Sequence, residues 1–138
     1  MKRSVLVSSL FILAAILVLN VGVASASFSV TATVIGKPGS LAPGNCGTAT
    51  STTSGSWTLT VTKIIPKLSW VHIVVWGLES SPCKSPFTGT AVAIWTVGHA
   101  SIGDTFRTGS LPAGTYSVEL TLGGSPGASL TLSVAPPG

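Results

Sequence analysis

Hydrophobic residues in this chain fall on alternate positions over several short runs, the two-residue period of a half-buried strand. In "FSVTATVI" the residues Phe28, Val30, Ala32 and Val34 share one face. Trp57, Leu59 and Val61 alternate with Thr58, Thr60 and Thr62; Tyr116, Val118, Leu120 and Leu122 with Ser117, Glu119 and Thr121; Leu130, Leu132 and Val134 with Ser129, Thr131 and Ser133. Each run predicts a strand with one buried and one wet face. "SWVHIVVWG" breaks the rule, because Val71, Ile73 and Val75 form one apolar face and Trp70, His72, Val74 and Trp76 form another. Such a strand is central in its sheet, or turns one face toward something outside the domain. "AVAIWTV" is of the same kind, with Trp95 on the alternate face from Ile94. Thr105 to Thr108, which contains Arg107, is a shorter and weaker candidate.

Between these runs stand turn formers. "GKPGSLAPG" follows the first run, and its Pro38 and Pro43 cannot donate to a ladder. Residues 37–45 therefore read as a Gly/Pro linker, and the Thr/Ser tract Thr48 to Ser56 as a solvated loop. Almost no helical period is present. Six to seven strands separated by turns predict an all-β fold, an antiparallel β-sandwich or barrel. The stretch "SLPAGTYSVELTL" (Ser110 to Leu122) resembles the penultimate strand and entry turn of Ig-like, fibronectin-type-III-like and PKD-like secreted modules. That resemblance covers about a tenth of the chain. It implies an Ig-like sandwich in which the Tyr116 hydroxyl bonds back to the preceding turn. Val118 stands where antibody-type domains carry their second cysteine, and Cys46 and Cys83 read as lying outside the strands, so the antibody-type core disulfide is not expected.

The N-terminus changes the picture of where this fold works. Lys2 and Arg3, then the apolar run Val5 to Val18, then Ala24-Ser25-Ala26 give the three regions of a secretory signal. Residues 1–26 thus read as a cleaved hydrophobic signal helix, and 27–138 as one β-sandwich domain of about 112 residues. Two rivals are an uncleaved anchor over Val5 to Val23 and a pilin-like leader cut early, at Ser4. Export permits a disulfide, and Cys46 and Cys83 are the only two cysteines, so a single pairing exists.

Composition removes several functions. Only 7% of residues are charged. Without the leader's Lys2 and Arg3, five Lys/Arg (Lys37, Lys63, Lys67, Lys84 and Arg107) face three Asp/Glu, a net charge of +2 with no cluster. Nucleic acid needs clustered cations, so no nucleic-acid partner is expected, and membrane contact is expected only through the signal peptide. Glu79, Asp104 and Glu119 are the only carboxylates, and nothing in their spacing makes Glu79 and Asp104 converge as a glycosidase pair. His99, Ser101 and Asp104 crowd one Gly-rich turn, whereas a hydrolytic set converges from separate rigid elements. Cys46, His72, Cys83 and His99 match no short-loop zinc spacing. Met1 is the only methionine, and no Cys-x-His pair occurs, against a blue-copper site. No cofactor, metal or catalytic residue is expected.

What remains is surface and assembly. Trp70, His72 and Trp76, at positions i, i+2 and i+6 of one strand face, span about 20 Å. With Trp95 they are candidate interface aromatics, able to stack a cell-surface glycan or seal a protein contact if they are not core. Outward positions are Thr and Ser, a poorly charged surface for a freely diffusing domain. The first strand (Phe28, Val30, Ala32, Val34), tethered by its linker within residues 27–45, could complete a neighbour's sheet. In organisation the chain is similar to donor-strand filament subunits, which implies self-association by strand exchange. The sequence therefore favours a secreted, non-catalytic structural subunit of an extracellular filament or layer. A monomeric adhesion module is the second reading, and a small hydrolase or metal protein the third.

Overall fold

The computed structural model describes residues 26–35, 45–77, 83 and 89–138. The signal segment up to residue 25, most of the Gly/Pro linker, and Glu79 and Lys84 in the long connection before the fifth strand lie outside the described residues. Eight strands follow in order: β1 (Phe28–Thr33), β2 (Cys46–Ser51), β3 (Thr58–Ile65), β4 (Leu68–Gly77), β5 (Thr90–Val97), β6 (Thr105–Arg107), β7 (Gly114–Gly124) and β8 (Ser129–Ala135). They form two antiparallel four-stranded sheets, ordered β1-β8-β3-β6 and β2-β7-β4-β5. The β4–β5 connection joins neighbours within one sheet, and every other connection crosses to the opposite sheet. An antibody-type sandwich keeps its last two strands side by side. Here β7 and β8 lie in different sheets.

Two apolar faces meet between the sheets. Val30, Ala32, Val34, Leu59, Val61, Leu130, Leu132 and Val134 come from the first sheet, and Val71, Ile73, Val75, Val118, Leu120 and Leu122 from the second. These are the inward positions of the two-residue period, so the alternation placed the core correctly. Trp57 and Tyr116 bridge the layers edge to face, their ring centroids 5.3 Å apart. At one side Trp95 of β5 meets Phe106 of β6 at 5.6 Å; at the other, Phe28 of β1 meets β2. Tyr116 Oη donates to Pro112 O at 2.8 Å, the turn-locking bond expected of this tyrosine. The chain's last residues are held as well, since Ser51 Oγ and Thr53 Oγ1 both donate to Pro137 O, at 2.9 and 3.0 Å.

One expectation fails. Cys46 and the tract from Thr48 to Ser51, read as non-strand, form β2, paired with β7 from Cys46↔Glu119 to Ser51↔Gly114. Its inward residues are Gly47, Ala49 and the buried Ser51, all small, and at Gly47 the side chains of Phe28 and Val30 fill the space where a larger one would stand. Its outward Thr48 and Thr50 bond sideways to Ser117 and Thr115, at 2.8 and 2.7 Å. A strand built this way carries no apolar alternation to read. In β3 a register shift between Val61 and Lys63 turns Ile64 toward the core and carries the strand beyond the Thr62 where alternation ended.

Candidate functional site

The first strand sits at the edge of its sheet and pairs along its whole length with β8 of its own chain, from Phe28↔Val134 to Thr33↔Ser129. Val34 extends the contact, donating to Ala128 O and accepting from Gly127 N, each at 2.8 Å. Val30, Ala32 and Val34 are buried, and Phe28 is half-buried. Phe28 lies on Gly47: a Cβ there would stand 2.6 Å from Phe28 Cε2 and 3.0 Å from Val30 Cγ2. On the outer face the Thr31 and Thr131 hydroxyls meet at 3.0 Å. All four residues expected on the strand's apolar face thus point to the core side, and the glycine that seats the ring is one the sequence did not disclose.

The aromatic residues divide between two faces. Trp70, His72 and Trp76 share the outer face of β4, which lies central in its sheet between β7 and β5. Trp95 pairs across from the buried Ile73 and faces inward, at the rim of the core. Trp70 is 38% exposed and spreads over Gly123, where any Cβ would collide with the indole. His72 Nδ1 and Thr96 Oγ1 share a hydrogen bond of 2.9 Å. Trp76 Nε1 donates to Glu119 Oε2 at 3.1 Å, which gives that carboxylate a structural partner. Trp57 and Tyr116 are core, as expected.

Cys46 and Cys83 form a disulfide with Cα atoms 5.5 Å apart. Thr48 Oγ1 lies 3.4 Å from Cys83 Sγ. The bridge ties the long β4–β5 connection to β2, at the far edge of the same sheet. Both sulfurs are thereby spent, so the Cys46, His72, Cys83, His99 set cannot hold a metal in this state. Among the described residues no group of three or more His, Cys, Asp or Glu side chains is placed to hold one. His99 is exposed, and Asp104 turns back on its own loop: Oδ2 accepts from Ser101 N at 2.8 Å, and Asp104 N donates to Ser101 O at 3.0 Å. Those two bonds make a polar turn between β5 and β6. Among the described residues no helix is long and apolar enough to cross a membrane. No protein-family model matches the chain, and no curated protein matches it.

Proposed function

We propose that this chain is a secreted, non-catalytic structural protein of the cell surface, a subunit of an extracellular filament or layer assembled by donating β1 to a neighbour. The carrying observation is the place of β1. It is an N-terminal edge strand with one hydrogen-bonded neighbour, yet it supplies Val30, Ala32 and Val34 to the core. Burying those side chains with half of Phe28 stabilises the sandwich by roughly 5 kcal/mol, an upper figure. Small domains hold about 5–15 kcal/mol in total. A sandwich without a strand in this position is therefore close to unfolded, and an identical strand from the next subunit restores the same contacts. The Gly/Pro composition of the following linker favours such a transfer, and the edge of β8 that a departing β1 vacates would receive it. The charge-poor Ser/Thr surface suits a packed assembly.

The test places cysteines at the facing pair Thr31→Cys and Thr131→Cys, whose hydroxyls lie 3.0 Å apart in the native protein. The mature chain is assembled under reducing conditions at these sites, oxidised, and run on a denaturing non-reducing gel. Strand donation gives a ladder of covalently joined subunits. A single monomer band from material that sizes as an assembly refutes donation through β1.

A monomeric adhesion module is the second reading, favoured by the exposure of Trp70 on a sheet face. It requires that Trp70→Ala remove binding to a cell-surface glycan or protein while the melting curve stays in place.

A further inference from the structure

The second sheet ends in a strand that the fold does not bury. Every residue of β5 is exposed or half-exposed, although six of the eight are apolar: Ala91, Val92, Ala93, Ile94, Trp95 and Val97. Ile94 is 58% exposed and Val92 39%. The reason is geometric. The strand it meets across the sandwich, β6, is only three residues long and reaches Trp95 through Phe106, so the inward residues of β5, Ala93 and Trp95 among them, are covered only in part. Among the described residues no strand pairs with its outer edge.

Natural sheets guard such edges with charge, proline, bulges or short strands. The other three edges here are handled: β1 abuts β2 through Phe28 and Gly47, β2 is also stapled by the disulfide, and β6 is three residues ending in Arg107. From Thr90 to Gly98 there is neither a charge nor a proline. The one irregularity in the β4–β5 ladder is an extra residue in β5 at Val92, between Ala91 and Ala93, and it leaves Ala93 to Val97 in regular register.

We infer that β5 is a self-association edge, pairing antiparallel with β5 of a second copy across a two-fold axis. The occupant follows from chemistry. A strand with no charge meets no repulsion from its own copy, and antiparallel pairing about a two-fold is self-complementary, each residue's partner relation being returned by the other chain. Joined this way the two four-stranded sheets become one eight-stranded sheet. Ile94 is brought against the partner's outer face, and the rims around Trp95 close on each other. The contact is one strand wide, below the area of about 1,200 Å² at which interfaces become stable in isolation, so a reversible, concentration-dependent dimer is expected. This contact does not depend on strand donation by β1. It would join copies sideways, where donation joins them in series.

The test removes donation first. The mature chain carrying Thr31→Cys and Thr131→Cys is oxidised as isolated monomer, which pins β1 to its own β8. Sedimentation is then followed from about 1 µM to about 1 mM, a range that brackets weak dissociation constants. A monomer–dimer equilibrium is expected, with slower amide exchange at Ala93 to Val97 as concentration rises. Adding Ile94→Lys should weaken the dimer at least tenfold while leaving the melting curve unchanged, because Ile94 is mostly in solvent. The inference is overturned if the pinned chain stays monomeric throughout, if the dimer survives Ile94→Lys, or if concentration-dependent protection appears elsewhere. A pinned dimer together with no ladder in the cross-linking gel would keep this edge and reject donation.

Discussion

Gly47→Ala puts the β1 contact to a quantitative test. The added Cβ would lie 2.6 Å from Phe28 Cε2, 2.9 Å from Cδ2 and 3.0 Å from Val30 Cγ2. Val30 is buried and has nowhere to move, whereas Phe28 is half-buried at the strand end, so the ring is the part that yields. Expelling it forfeits about 1 kcal/mol of burial. Residual overpacking against Val30 adds about 1 kcal/mol, the low end for such insertions. Restricting the unfolded chain by replacing glycine returns about 0.5 kcal/mol. The net cost is about 1–2 kcal/mol, or roughly 5–10 °C in melting temperature for a domain of this size. Urea unfolding followed by tryptophan emission measures it. The mechanism is read from a double-mutant cycle with Phe28→Ala: once the ring is gone the collision is mostly gone, so the two changes should couple by about 1 kcal/mol. Additive losses would show that Gly47 does not seat Phe28. Amide exchange at Val30 and Ala32 should rise in Gly47→Ala alone, since the substitution loosens β1 in particular.

Three further outcomes follow from other contacts. Replacing both cysteines by serine releases a closed segment with a sequence separation of 37, which on the chain-entropy account costs about 4 kcal/mol; calorimetry should show a melting temperature lower by more than 10 °C, and a shift of only a degree or two would mean the bridge constrains little. Trp57 is fully buried, and among the described residues its Nε1 has no hydrogen-bond partner; Trp57→Phe removes that orphaned donor along with some packing and should cost no more than about 1 kcal/mol, against about 3–5 kcal/mol for Trp57→Ala, in chemical denaturation. Tyr116→Phe loses only the bond to Pro112 O and should cost about 1 kcal/mol with the fold retained by circular dichroism.

The parts of this fold that could be read from the sequence are those where one face is buried and the other wet. For β1, β3, β7 and β8 the alternation named the inward residues directly. The two-sided strand β4 could be recognised as unusual, and its central position accounts for half of that. Its outer face is partly closed by ties such as Trp76 to Glu119 and Trp70 over Gly123, which depend on β7 being its neighbour. Strand neighbours are a long-range property that no local window contains. For the same reason β5 and β4 look alike in sequence although one is an edge and the other is central. β2 escaped because its inward residues are small, and at Gly47 the space is filled by Phe28 and Val30 of β1. The disulfide was legible by counting, and the Tyr116 bond by its resemblance to secreted modules.

The ladder between Thr31 and Thr131 joins residues 100 positions apart, and this separation sets an order of events. In any chain that emerges from its N-terminus onward, β1 is the first of the described strands to appear, and β8, its one sheet neighbour among them, is the last. Throughout that interval the backbone of β1 lacks the strand it pairs with, although β2 and β7, on which its apolar face packs, are already present. A finished subunit nearby whose β8 edge is open at that moment is a competitor with a head start. Loop closure over such a distance is slow, so under the proposed strand donation the local concentration of subunits, rather than affinity alone, would decide whether each new chain closes on itself or extends the one before it.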